Sequence, residues 1–360
     1  REYIVSEAMS ALGIPTTRAL AALLTGERVV REGPVPGAIL VRIAKSHIRI
    51  GTFEYFAHRG EVGKVKILAN YVIDRHYPEI KDKVDKYTKL LEKVIEKQAI
   101  LIAEWMGVGF IHGVMNTDNM TLSGETIDFG PCAFMDHFNI DKSYSSIDAH
   151  GRYRFSNQPH IATWNLSRLA ETLLPLIDDK QTNAIKQAEK SLDAFVPLFT
   201  AHWTKVMGKK LGIENPIESD KLLIENLLNL MQVGNSDYTL TFRKFSNILR
   251  SNDHKDWITL FQDPNNPKLL RWLKQWEKRL RSMSSSKEHI AKNLDATNPY
   301  IIPRNHIIEL CISEAIRGDL SRFNQLAQGI KTPYLEKPEF ESYSKPPEEN
   351  EIVHQTFCGT

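Results

Sequence analysis

The chain has 360 residues, 46 of them Lys or Arg and 44 Asp or Glu, for a formal net charge of +2, with 42% apolar and 25% charged residues. This ordinary globular usage excludes collagen-like, coiled-coil and disordered classes, and offers no broad field to gather nucleic acid or an anionic membrane. With no apolar run of about 18 residues and no charged-then-apolar leader, neither a spanning helix nor a signal peptide is expected.

Along residues 2–12, Ile4, Val5, Ala8 and Leu12 share one helical face, and Gly13 and Pro15 supply a stop. Residues 19–25 and 37–44 read as strands joined by a turn-rich piece holding Gly26, Gly33, Pro34 and Pro36. A lone hairpin is marginal in water, so partner strands are expected upstream of Arg1. From about Thr52 the pattern is helical. Its clearest stretch is 83–105, with Val84, Tyr87, Leu91, Val94, Ile95, Ile102 and Trp105 on one stripe and Lys86, Lys89, Glu92, Lys93, Glu96 and Lys97 on the wet face. Further helices are expected at 162–177, 183–207, 221–231 and 304–316. Residues 338–351, rich in Pro, Glu, Ser and Lys, read as an extended, weakly ordered tail.

The chemistry concentrates between His112 and Gly130. Asn119 and Asp128 are hard oxygen donors of the kind that hold a divalent cation beside nucleotide phosphates. Protein kinases place such residues in H-R-D-x-x-x-x-N followed by D-F-G. His112, Asn119 and Asp128-Phe129-Gly130 match that template, but Val114 stands where the catalytic Asp belongs and can accept no proton. The nearest carboxylate is Asp118. Taken singly these pieces are turn sequences, and His112 is expected to pack and hydrogen-bond within the loop. Arg42 and Arg49 have guanidinium forks suited to phosphate, although spacing alone favours solvated surface arginines. Of three cysteines, Cys132, Cys311 and Cys358, only the last lies in a polar tail, where its thiol would be solvated or free to pair.

These segments, with Gly151-Arg152-Tyr153, Asn157-Gln158-Pro159, Trp164-Asn165-Leu166 and Asn298-Pro299-Tyr300, closely resemble the selenoprotein O family across nearly the whole chain. The resemblance implies a protein-kinase-like fold of α+β class, predominantly α, with an incomplete N-terminal lobe (1–60), a helical C-terminal lobe (61–335) and a tail (336–360). It implies a pseudokinase that binds ATP in reversed orientation and moves AMP to Ser, Thr or Tyr hydroxyls of protein substrates. Asp118 would accept the proton, and Asn119 and Asp128 would hold Mg²⁺, or Mn²⁺ in its place. Asp128, Arg42 and Arg49 would contact the nucleotide, and Glu2 would pair with an upstream lysine. Cys358 matches the family's C-terminal selenocysteine or cysteine; its redox partner in some bacterial relatives falls near residues 144–147, where no cysteine stands, leaving Cys132 as the nearest substitute. A monomer is expected, without nucleic acid or membrane partners, cytoplasmic in a bacterium or mitochondrial in a eukaryote. A chain lacking the glycine-rich loop and lysine is expected to bind ATP poorly by itself. Phosphotransfer and a non-catalytic ATP-binding scaffold are the alternatives; Val114 weighs against the first, and retention of Asp118, Asn119 and Asp128 against the second.

Overall fold

The computed structural model describes residues 1–30 and 33–357. The first helix, α1 (Glu2–Ala11), buries Ile4, Val5, Ala8 and Met9. It is followed by a long antiparallel hairpin of β1 (Arg18–Val30) and β2 (Pro34–Ile43), in register from Arg18 opposite Ile43 to Val30 opposite Pro34, with irregularities near Ala19 and between Leu24 and Arg28. Alternation along a strand buries one face only when something lies against it. Here most of the hairpin's apolar side chains stay exposed, Leu24 at 79% and Val30 at 83%, and among the described residues these two strands form a sheet of their own.

The helical body begins with α2 (Ile50–Ala57) and α3 (Val62–His76) and is organised around α4 (Lys86–Gly107), which buries Leu91, Val94, Ile95, Ile102 and Trp105. Val84, expected on that stripe, is fully exposed because the helix starts after it, and residues 83–84 lie in the preceding turn. Two short strands, β3 (Phe110–Ile111) and β4 (Ala133–Phe134), pair antiparallel at the C-terminal end of α4. Next come α5 (Gln158–Ile177), α6 (Gln181–Leu192), α7 (Phe195–Lys210) and α8 (Glu218–Gly234). The single helix expected over 183–207 is two, broken at Asp193 and Ala194; Pro197 falls in the first turn of α7, where its missing N–H costs nothing.

Sequence periodicity gives no reading of the stretch from Tyr238 to Thr297, which folds into α9 (Tyr238–Arg243), α10 (Phe245–Ser251), α11 (Lys255–Ile258), α12 (Pro267–Arg281) and α13 (Lys287–Thr297). Three of these span about two turns or less, too short for a 3.6-residue period to show. An aromatic cluster binds them: the Phe245 ring lies 4.7 Å from that of Trp276 and 5.5 Å from that of Trp257. Each buried indole N–H finds a carbonyl, Trp257 on Thr241, Trp272 on Leu223 and Trp276 on Leu211.

The chain closes through α14 (Asn305–Ile316), α15 (Ser321–Gly329) and α16 (Glu341–Ser344). Residues 338–351 are not the weakly ordered tail expected from composition. Phe340 and Tyr343 are buried, and the Ser344 carbonyl accepts from Arg304 Nε at 3.1 Å. That guanidinium is fully buried and also meets Asp136 at 2.5 Å and Asp237 at 2.8 Å, so its charge is neutralised and its donors are used. Among the described residues no helix is long and apolar enough to cross a membrane.

Candidate active site

The β3–β4 pair clamps the ends of a loop, residues 112–132, that carries most of the candidate residues. His112 is wholly buried; its Nε2 lies 2.9 Å from the Ile127 carbonyl and its Nδ1 3.4 Å from the Val114 N–H. One ring nitrogen must donate and the other accept, which the neutral imidazole does, and burial lowers its pKa accordingly. The ring is a scaffold. Gly113 follows with φ +85°, and a Cβ there would stand 2.7 Å from the Pro131 carbonyl oxygen, so no other residue fits without displacing the end of the loop. Val114 is buried, and its carbonyl accepts from Asn119 Nδ2 at 3.0 Å.

Two side chains of α5, given no role by the sequence reading, hold this loop. Gln158 accepts the His112 N–H through Oε1 at 3.1 Å and donates Nε2 to the Phe110 carbonyl at 3.0 Å. Asn165 donates Nδ2 to the Met115 carbonyl at 2.9 Å. Their only signal in the sequence is that each is an amide residue within a resemblance-bearing motif.

Asn119, in a 3₁₀ turn over Thr117–Asn119, and Asp128 are brought together: Asn119 Nδ2 donates to Asp128 Oδ2 at 2.8 Å. Asp128 takes φ +67°, a left-handed backbone that a non-glycine residue adopts only when its surroundings impose it. The next amide, that of Phe129, donates to Glu2 Oε1 at 2.6 Å, while Glu2 Oε2 meets Arg42 Nη2 at 3.1 Å. Burial raises the Glu2 pKa, opposed by the Arg42 charge and the Phe129 N–H. Glu2 is therefore partnered by Arg42, a residue expected at phosphate, and the first helix, the hairpin and the loop meet at one carboxylate.

Asp118 lies beside the first turn of α2, against Gly51. That turn is tied to the loop by the Ile50 N–H on the Met120 carbonyl and the Leu122 N–H on the Ile48 carbonyl, both at 3.0 Å. Arg49 precedes the helix; its Nε is buried without a hydrogen-bond partner among the described residues.

The donor set fits a hard divalent cation. Both Asn119 amide hydrogens are engaged by Val114 and Asp128, which leaves the amide oxygen, with the Asp128 carboxylate, as a hard oxygen donor. Among the described residues no group of three or more His, Cys, Asp or Glu is arranged to hold a metal, so any further ligands would come from nucleotide and water. The redox candidate is less favourable. Cys358 lies outside the described residues, and Cys132 is fully buried, donates to the Phe129 carbonyl, and has its thiol pKa pushed up to about 12 by burial. Nearby, Thr356 accepts the Ser146 N–H through its carbonyl, donates its own N–H to Tyr144, and hydrogen-bonds the Pro131 carbonyl through its hydroxyl, which seats the end of the described chain on the segment after Gly130.

A family model described as protein adenylyltransferase SelO matches residues 1–331. Proteins named protein nucleotidyltransferase YdiU are similar over the whole of this chain and 72% of their own length: 51% identical in Rhizobium etli, 50% in Rhizobium rhizogenes and 47% in Alkaliphilus metalliredigens. With its loop, its Asn119–Asp128 pair and its first-helix glutamate in one constellation, the chain belongs to the SelO family of protein adenylyltransferases.

Proposed function

We propose that the chain moves AMP from ATP to hydroxyl side chains of protein substrates, on a protein-kinase-like fold divided into an N-terminal lobe remnant (1–60), a helical lobe (61–335) and a tail (336–360). The observation that carries this reading is the loop itself. Val114, at the position of a kinase base, is apolar and buried, while Asp118 stands one residue from the Asn119–Asp128 donor pair. A proton acceptor placed there serves a nucleotide lying with its α-phosphate over the loop.

In this reading the substrate hydroxyl oxygen attacks the α-phosphorus and its proton passes to Asp118. The bond from the α-phosphorus to the bridging oxygen breaks, and pyrophosphate leaves. Asn119 and Asp128 would hold Mg²⁺, which when bound neutralises charge on the phosphate oxygens. Arg49, whose Nε has no partner among the described residues, would contact phosphate through its guanidinium. Arg42 keeps one nitrogen on Glu2 and has further donors for the nucleotide. The test is transfer by the full-length protein from ATP labelled at the α- or the γ-phosphate. Label reaching protein from the α-position supports the reading, and label from the γ-position overturns it.

A further inference from the structure

We infer that Gly51 is a positioning residue for Asp118, an inference that rests on Asp118 being the proton acceptor. Gly51 is the second residue of α2, in ordinary helical conformation, so its backbone does not call for glycine. The space does. A Cβ at position 51 would overlap Asp118 Oδ1 and stand 3.1 Å from Asp118 Cγ. One oxygen of the carboxylate therefore rests against the first turn of α2, in a space that only a hydrogen on Cα leaves open.

The seat is tied to the loop next to the contact. Ile50 N–H on the Met120 carbonyl and Leu122 N–H on the Ile48 carbonyl form an antiparallel bridge around Arg49 and Thr121, immediately before Gly51 and immediately after the 3₁₀ turn carrying Asp118, and this bridge opposes a separation of α2 from that turn to admit a methyl group. What gives way is the end of the Asp118 side chain. A carboxylate swung aside by about 1 Å loses the hydrogen-bond geometry a proton acceptor needs, at roughly 10²-fold in rate. The fold loses nothing, because alanine favours the helix over glycine. Rate and stability thus move in opposite directions, which a merely structural glycine would not produce.

The test compares Gly51→Ala, Asp118→Ala and the double variant in the full-length protein, with AMP transfer from α-labelled ATP, nucleotide affinity and thermal unfolding measured together. Gly63→Ala, in the first turn of α3 with open space around its Cα, is the control and is expected to leave all three unchanged or slightly raise the unfolding temperature. The expected result is kcat about 10²-fold lower in Gly51→Ala with unchanged ATP affinity and an unfolding temperature no lower than the parent. In the Asp118→Ala background the same substitution should cost no further rate. Full activity in Gly51→Ala, or an equal loss with and without the Asp118 carboxylate, overturns the inference and leaves the base assignment standing. A parent-like rate in Asp118→Ala alone removes the base assignment itself. If Gly51→Ala lowers both ATP affinity and the unfolding temperature, the glycine is structural and the inference is likewise overturned.

Discussion

The hairpin β1–β2 and the β3–β4 loop both supply residues to the site, yet they are supported in opposite ways. Asp118, Asn119 and Asp128 hang on a loop whose neighbours His112, Phe110 and Phe129 are wholly buried and whose carbonyls are held by Gln158 and Asn165. Arg42 projects from a hairpin whose apolar side chains mostly face water, and its one ion pair runs back to Glu2. The difference shows that Asp118, Asn119 and Asp128 are held mainly by the helical body, with Glu2 and Thr356 adding contacts to Phe129 and Pro131, whereas the placing of the Arg42 charge depends on one carboxylate contact.

The sharpest way to break this comparison is Asp128→Ala in the full-length protein. Removing a hard ligand in the well-supported half should lower AMP transfer about 10³-fold in initial-rate measurements, and a loss below tenfold would show that the loop does not organise the chemistry. Trp276→Ala removes an aromatic side chain packed on Phe245 and leaves the Leu211 carbonyl unpartnered. Denaturant unfolding should report a loss of about 3–5 kcal/mol, confirming that the body is where stability resides.

Lys210 offers a smaller effect of opposite sign. It is fully buried, 4.3 Å from the Phe242 ring centroid, and burial lowers its pKa to about 7. The unfolded chain binds this proton more readily between that value and the ordinary lysine range, so the cost of burying the charge is full below about pH 7 and fades as pH rises. Lys210→Met should raise the unfolding temperature, more near pH 6 than near pH 10. The smallest effect belongs to the hairpin: Leu24→Ala, at a side chain 79% exposed, should change stability by less than about 0.5 kcal/mol, and a larger loss would mean that this face is covered in solution.

Legibility in the sequence follows the same division. α1, α4, α5, α8 and α14 were readable because each is long enough to show a period, and the H-x-x-x-x-x-x-N and D-F-G spacings pointed to a loop that the structure does assemble. The helices between Tyr238 and Ser251 were not, because their order comes from tertiary aromatic packing around Phe245 rather than from local pattern. Composition also misjudged the tail, since two aromatic side chains, Phe340 and Tyr343, suffice to dock it where no aliphatic run exists. Within the site, Gln158, Asn165 and Gly51 act through backbone atoms and empty space, which residue type alone does not announce.

The seating of Thr356 bears on the order of events during folding. Its hydroxyl reaches Pro131 across 225 positions of sequence, and Glu2 reaches the Phe129 amide across 127. Contacts that close such long loops carry a large entropic cost and form after local helices have consolidated. Both converge within three residues of Asp128, so the backbone around Asp128 receives its final constraints from segments far away in sequence, and the expected order is helices first and this loop last.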